Sequence, residues 1–386
     1  MVMAGETPSG TGETGRTDWH AVAQKLGQQF ATRIEAHDTA DTFVAENYTD
    51  LKEQRVFSAG IPADLGGGGA SFSELCDLLH ELALGCDSTA LALAMHTHLL
   101  AAAIWRWRQG QPVESLLRRI ADEQLVLVST GASDWLDSSG RAEKVEGGYR
   151  VTARKIFGSG SPAGSLLMTS AVYDDPQDGA TVLHFPVPMT AGGVTVLDNW
   201  RTLGMRATGS NDVMLDGVFV PDAAVSLRRP KGRWHPFFNV VLGVAEPLIM
   251  SVYLGVAERA AELARDFARR KLEDPHVFYL VGELENSLTT AQLAARDMIA
   301  INDDYGFPVT DQTANAMLIR KTIAARAVLD TVEKAMEVVG GAAFFRAAGL
   351  ERLLRDAHGA QYHPLPEKRQ LVFTGRVSLG LDPVGQ

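Results

Sequence analysis

Cysteine is nearly missing from this sequence: Cys76 and Cys86 are the only two in 386 residues. There is no C-x-x-C spacing and no second pair, so neither a disulfide framework nor a metal centre is expected, and a reducing cytoplasm fits. Basic runs are missing as well. The formal net charge is −11, and no block of Lys and Arg is long enough to follow a phosphate backbone, which argues against nucleic acid as a partner. The most apolar stretch, residues 91–105, is interrupted by His96 and His98 and is shorter than the roughly 20 residues a bilayer span needs, so no membrane partner is expected. Residues 1–17 have no apolar centre and are rich in Gly, Thr and Glu, and they read as a disordered tail rather than a signal peptide.

What remains is an ordinary globular composition, 46% hydrophobic and 22% charged, with material for two or three domains. Residues 18–123 have a helical pattern. Ser71 followed by Glu74 has capping-box spacing and opens one helix, and residues 91–107, apolar nearly all round, make a second, buried one. His96 and His98 are two apart on it, so they point to different faces and cannot both line one site. The glycine tract at 66–69 lacks the preceding strand and the following lysine of a P-loop.

Between 124 and 230 the period changes to two. Strands are expected at 125–130, 149–157, 166–173, 181–187, 194–197 and 212–220, with no helices between them, which predicts a small antiparallel barrel or sandwich. Residues 231–386 return to helices: 247–271 with Pro247 at the first helical position, 277–302, 311–339, and a last one after Gly340-Gly341. Short connections predict an antiparallel four-helix bundle. Residues 239–256 are more apolar than one bundle seam requires, and homo-oligomerisation would bury the surplus. Leu350, Leu353, Leu354 and Ala357 give the last helix an apolar face, and His363-Pro364-Leu365-Pro366 ends it. A histidine there either looks into a cleft or sits exposed at a helix end, and spacing alone serves both readings.

Gly340-Gly341, Leu350-Glu351-Arg352 and Arg355-Asp356 resemble the C-terminal signature of the acyl-CoA dehydrogenase superfamily. The helical, β, helical order is that family's layout, which implies an α+β fold with N-terminal helices, a middle β domain and a C-terminal four-helix bundle. In the family's dehydrogenases a catalytic glutamate lies in a turn that falls here on His363 to Pro366. Its place is taken by Pro364, which cannot accept a proton. A histidine at this exit is similar to the family's flavin-dependent monooxygenases. The resemblance implies FAD or FMN, possibly as diffusible reduced flavin delivered by a flavin reductase, a small-molecule substrate, and assembly as a dimer or tetramer.

The resemblance also assigns residues. Lys155-Ile156-Phe157-Gly158-Ser159-Gly160 matches a family strand end, which implies that Phe157 packs by the isoalloxazine and Ser159 bonds its N5. Ser129 and Thr130 stand where the pyrimidine edge would lie. Arg206, before Thr208-Gly209-Ser210, meets flavin phosphate or substrate, or is a plain loop arginine. Arg270 and the pair Gly340 and Gly341 would face flavin phosphate, Arg270 that of a neighbouring subunit. Leu272-Glu273-Asp274-Pro275 replaces the family's Phe-Gly there and weakens the case for tightly held FAD. His96 is the cavity histidine by resemblance. Glu246, one residue from a catalytic position used by some members, is a candidate base or a helix cap. The leading expectation is a reduced-flavin monooxygenase working through a C4a-hydroperoxide, with His363 and His96 activating the substrate. One alternative is an acyl-thioester dehydrogenase with Glu246 as base, and another is a non-catalytic relative that binds an acyl ligand or a partner.

Overall fold

The computed structural model describes residues 16–131 and 134–385. The expected tail therefore lies outside the described residues but for Arg16 and Thr17, as do Ala132 and Ser133. Helix α1 (Trp19–Ala31) starts at Asp18, whose carboxylate accepts from the Ala21 N–H at 3.0 Å. α2 (Ile34–Ala40) and α3 (Ala45–Glu53) are short. The capping box of Ser71 and Glu74 is present and opens α4 (Phe72–Arg108). The two helices expected here form one element, joined across a kink at Cys86, whose φ and ψ of −147° and 94° are not helical. α1 crosses α4 beside the kink, where a Cβ on Gly85 would come within 2.0 Å of the Gly27 carbonyl oxygen. α5 (Glu114–Glu123) leads into the sheet.

Eight strands form one sheet: β1 (Leu127–Val128), β2 (Arg141–Val145), β3 (Gly148–Gly158), β4 (Leu166–Asp175), β5 (Gly179–Pro188), β6 (Val194–Val196), β7 (Asn211–Pro221) and β8 (Leu227–Pro230). Their order is β6-β7-β3-β2-β4-β5-β8, with β1 beside β4. The pairings are antiparallel apart from β1 with β4 and the single Arg141–Val172 contact of β2 with β4, so the sheet is mixed. The parallel pair arises because the chain enters the sheet from α5 alongside β4 and no hairpin joins the two. β2 was invisible to the period-two pattern because Ala142 is its one fully buried residue.

Five helices complete the chain: α6 (Pro236–Ala268), α7 (His276–Asn302), α8 (Asp311–Val339), α9 (Leu350–Ala357) and α10 (Glu367–Ser378). α6 begins at Pro236, not Pro247, and His235 caps it by accepting from the Phe237 N–H. Pro247 therefore sits inside the helix, where its missing N–H would orphan the Gly243 carbonyl. Asn302, at the end of α7, donates its side-chain amide to that carbonyl at 2.9 Å. Glu246 is consequently mid-helix and fully buried, which removes the capping reading. The expected fourth bundle helix is α9, which ends before prolines 364 and 366 as expected, and α10 beyond them is a further helix that was not expected.

One hydrophobic core runs through the helices on both sides of the sheet, from α1 and α4 to α6, α7, α8 and α9, while the sheet has its own. α4 and α6 are each long and apolar enough to cross a membrane, but 83% and 89% of their most apolar windows are buried in the protein, the situation of core helices. The apolar surplus of residues 239–256 is buried in this way against α4 and α8, and needs no second subunit. α9 is tied to the rest by Arg352, whose Nη1 donates to both Asp87 oxygens at 2.9 Å and to Asp356 at 3.0 Å. Asp356 in turn accepts from the backbone N–H of Met205, between β6 and β7.

Candidate active site

Where α4, the sheet and the start of α6 meet, they enclose a cavity of about 420 Å³. Its apolar wall includes Leu99, Ala102, Met168, Phe185, Trp135 and Phe238, and its polar lining includes Ser129 and Thr130. His98 lines it and His96 does not. The expectation for His96 is corrected by its bonding: Nε2 donates to the Phe57 carbonyl at 2.9 Å, and Nδ1 accepts from the Leu127 N–H at 3.0 Å. Both ring nitrogens thus join α4 to the backbone of its neighbours. His98 differs. Its Nδ1 faces the Ala94 carbonyl at 3.2 Å, and a carbonyl only accepts, so Nδ1 carries the proton and Nε2 keeps a free lone pair. Burial lowers the pKa of both histidines to about 4, so both are neutral at physiological pH. The single carboxylate among the described lining residues, Asp134, is held by Lys155 at 2.7 Å.

Ser129, Phe157 and Ser159 lie at neighbouring places on the sheet. The Gly131 N–H donates to the Ile156 carbonyl, and a Cβ on Gly131 would touch the Phe157 ring at 3.0 Å. Phe157 is a bulge residue with φ of 57°, at the register shift between Lys155 and Gly158. The bulge leaves its ring 51% exposed, held edge-on by Trp200. Ser159 is buried in a hydroxyl chain, with Ser159 Oγ to Ser210 Oγ and Ser210 Oγ to Thr208 Oγ1 both 2.7 Å. Thr208 Oγ1 donates to the Met205 carbonyl at 2.9 Å. That carbonyl fixes the direction: Thr208 gives its proton to Met205, Ser210 gives its own to Thr208, and Ser159 gives its own to Ser210. Ser159 Oγ is left with lone pairs to offer any ligand.

A second buried cluster surrounds His363. Its Nε2 is 2.9 Å from the Tyr253 hydroxyl of α6, and Lys321 of α8 donates to the carbonyls of His363 at 2.8 Å and Leu365 at 3.2 Å. Burial, with help from Lys321 and His98, lowers the His363 pKa to about 3, so it is a neutral hydrogen-bonding group rather than a base poised near neutrality. Glu246 has no hydrogen bond to either carboxyl oxygen, and burial, offset by Lys321, raises its pKa to about 8. It therefore carries its proton at pH 7. Glu246 and His363 are not among the residues lining the cavity.

Other expected positions fall elsewhere. Arg206 donates to the Thr202 and Asp38 carbonyls and faces Asp41 at 3.6 Å, so it fastens the loop between β6 and β7 to the N-terminal helices. Arg270 lies just past α6, its Nε donating to the Asp266 carbonyl and its guanidinium 5.9 Å from the Phe267 ring centroid. Gly340 and Gly341 follow α8 in open space, with Phe344 and Phe345 beyond them 86% and 69% exposed. The glycine tract does not line the cavity; a Cβ on Gly68 would meet the Trp19 ring at 2.1 Å. Tyr253 and Lys321 escaped sequence reasoning because each is one polar residue on an apolar helix face. For Lys321 that rarity was itself an available signal, since lysine is seldom buried without a partner.

Family models for the acyl-CoA dehydrogenase N-terminal domain and C-terminal domain match residues 17–124 and 240–367. Among characterised relatives, a dibenzothiophene monooxygenase of Mycolicibacterium goodii is 28% identical over 377 residues, covering 89% of each chain. An L-evernosamine nitrososynthase of Micromonospora is 27% identical, covering 89% of this chain and 86% of the relative. The solved structure of KijD3 with FMN and a dTDP-linked amino sugar superposes with a TM-score of 0.86 over 97% of both chains, and at 24% identity this shows the shared fold.

Proposed function

Because the chain belongs to the acyl-CoA dehydrogenase superfamily and is a flavin-dependent oxidoreductase, we propose that it is a reduced-flavin monooxygenase. The observation that carries this reading is the cavity lining. Beside the Ser129–Thr130 loop it offers a neutral imidazole with a free Nε2 and no unpaired carboxylate, whereas thioester dehydrogenation needs a base within reach of the substrate's α-proton. The relatives named as monooxygenase and nitrososynthase support the same reading.

The residues present fit a flavin. Phe157 offers an exposed ring face, Ser129 and Thr130 offer hydrogen-bonding groups on the cavity wall, and Ser159 offers an acceptor. A reduced flavin carries a proton on N5 and an oxidised one does not, so an acceptor at Ser159 favours the reduced form. When bound, reduced flavin supplies the activation of O₂. The apolar wall of Leu99, Met168, Phe185 and Phe238 excludes water, and His98 Nε2 accepts a hydrogen bond that orients the substrate. Tyr253 and His363 share a proton across their 2.9 Å contact, and Glu246 holds one in reserve at neutral pH. FMN delivered by a reductase, and assembly into a homo-oligomer through the exposed Phe344 and Phe345, complete the reading.

Anaerobic titration tests the cofactor half: reduced FMN binds more tightly than oxidised FMN, and Ser159→Ala narrows the difference. The reaction half is tested with a flavin reductase, ¹⁸O₂ and a panel of sulfur and nitrogen compounds, dibenzothiophene and anionic sulfur compounds among them, where label enters a product. Oxidation of acyl-CoA with an artificial acceptor, abolished by Glu246→Gln, would replace this reading with the dehydrogenase.

A further inference from the structure

Around Phe238 the cavity lining holds polar groups that oxygen activation leaves unexplained. His184 and His235 both line it. Arg229 donates from Nε to His184 Nε2 at 3.0 Å, so that nitrogen must be the acceptor and the proton of the neutral ring sits on Nδ1. His235 accepts from the Phe237 N–H through Nδ1 at 3.1 Å, which by the same logic places its proton on Nε2. Each ring thus retains one N–H donor without an acceptor among the described residues.

The charge behind these donors is unbalanced. Arg229, 2% exposed, is bonded to carbonyl oxygens of Leu136 and Asp134 and to His184, with no carboxylate within salt-bridge distance. The buried carboxylate nearby, Asp134, is already committed to Lys155. Two buried cations share one buried anion, while Asp137 lies on the exposed side. We infer that this part of the cavity binds an anionic, oxygen-bearing group of the substrate, a carboxylate or its sulfonate or phosphoryl counterpart, through the N–H groups of His184 and His235. The rest of the substrate then extends along the apolar wall toward His98. The inference rests on reading this cavity as the substrate site, and it sets the substrate class apart from a bare neutral heterocycle.

Burial and Arg229 hold His184 near pKa 3, and the same causes lower His235, so neither ring ionises above pH 7. Arg229, lowered by burial to about 10, stays charged there, and Lys155 is held charged by Asp134. Isothermal titration of the flavin-free protein with octanoate, octanesulfonate and octanamide reads this directly. Both anions bind about tenfold more tightly than the amide, since charge-assisted hydrogen bonds are about twice as strong as neutral ones. Octanoate affinity is the same at pH 7 and pH 8.5, where binding to an imidazolium would fade. His235→Ser, which keeps a side-chain oxygen to cap α6, weakens octanoate several-fold and leaves octanamide less affected; His184→Phe removes the preference for the anion. Equal affinity for octanoate and octanamide, or an anion preference untouched in both variants, would overturn the inference. The measurement is independent of flavin: anion binding in a protein that fails to bind FMN would sink the monooxygenase reading and leave this site standing, while oxygenation without anion preference would do the reverse.

Discussion

Two histidines two residues apart on α4 have opposite employments, and their substitutions separate them. His98→Phe keeps the volume of the ring and removes the free Nε2, so flavin binding persists while product formation falls about tenfold, the worth of one orienting hydrogen bond. His96→Phe strands the Phe57 carbonyl and the Leu127 N–H in the core, so it costs about 2–4 kcal/mol in urea unfolding, the sum of two buried unpaired groups. The sequence restricted the choice to one of the pair by helical geometry but could not pick between them. What decides it is which backbone groups come from residues 57 and 127, far away in the chain. The strand end at Phe157 and Ser159 was legible because glycines after a strand are a local feature, while their place beside a flavin came from the resemblance alone. The direction of the Ser159 hydroxyl was not, since it depends on Thr208 and Met205.

At the level of elements, α6 shows how a tertiary contact overrides a local signal. Proline beside a helical pattern ordinarily marks a start, and here it lies inside the helix because Asn302 takes over the orphaned Gly243 carbonyl. Asn302→Leu therefore destabilises the protein by about 1–3 kcal/mol, and Pro247→Ala does not add to that loss, because the restored N–H serves the same carbonyl. A double-mutant cycle by chemical denaturation measures the coupling. The same override explains the extent of the legible fold. Helix, sheet and helix order followed from periodicity and the end of α9 from its prolines, whereas β2 and the added helix α10 were missed, β2 because only Ala142 of it is buried.

For the whole molecule, buried ionisable groups set the pH response. His96 and His98 are neutral in the fold down to about pH 4, while an unfolded histidine takes up its proton near 6.5. Between these values the unfolded chain binds more protons, so stability is lost as pH falls, by up to about 1.4 kcal/mol per unit for each ring. Glu246 opposes them. Its folded pKa near 8 lies above the ordinary 4.5, so within that window its contribution is lost as pH rises. Glu246→Gln keeps the shape and deletes the opposing effect, which makes the variant more stable than the parent at pH 7.5 and steepens its decline on acidification. Urea midpoints at pH 5.0, 6.0 and 7.5 give the comparison.

Arg352 touches the kink of α4 through Asp87 and, through Asp356, the loop that closes the sheet. A joint that holds three layers with one guanidinium makes their melting indivisible: scanning calorimetry gives a single endotherm for the chain. Arg352→Met uncouples the layers, and the sheet then melts in a separate, earlier peak. In that variant heat would part the sheet from the helices before it dissolved them.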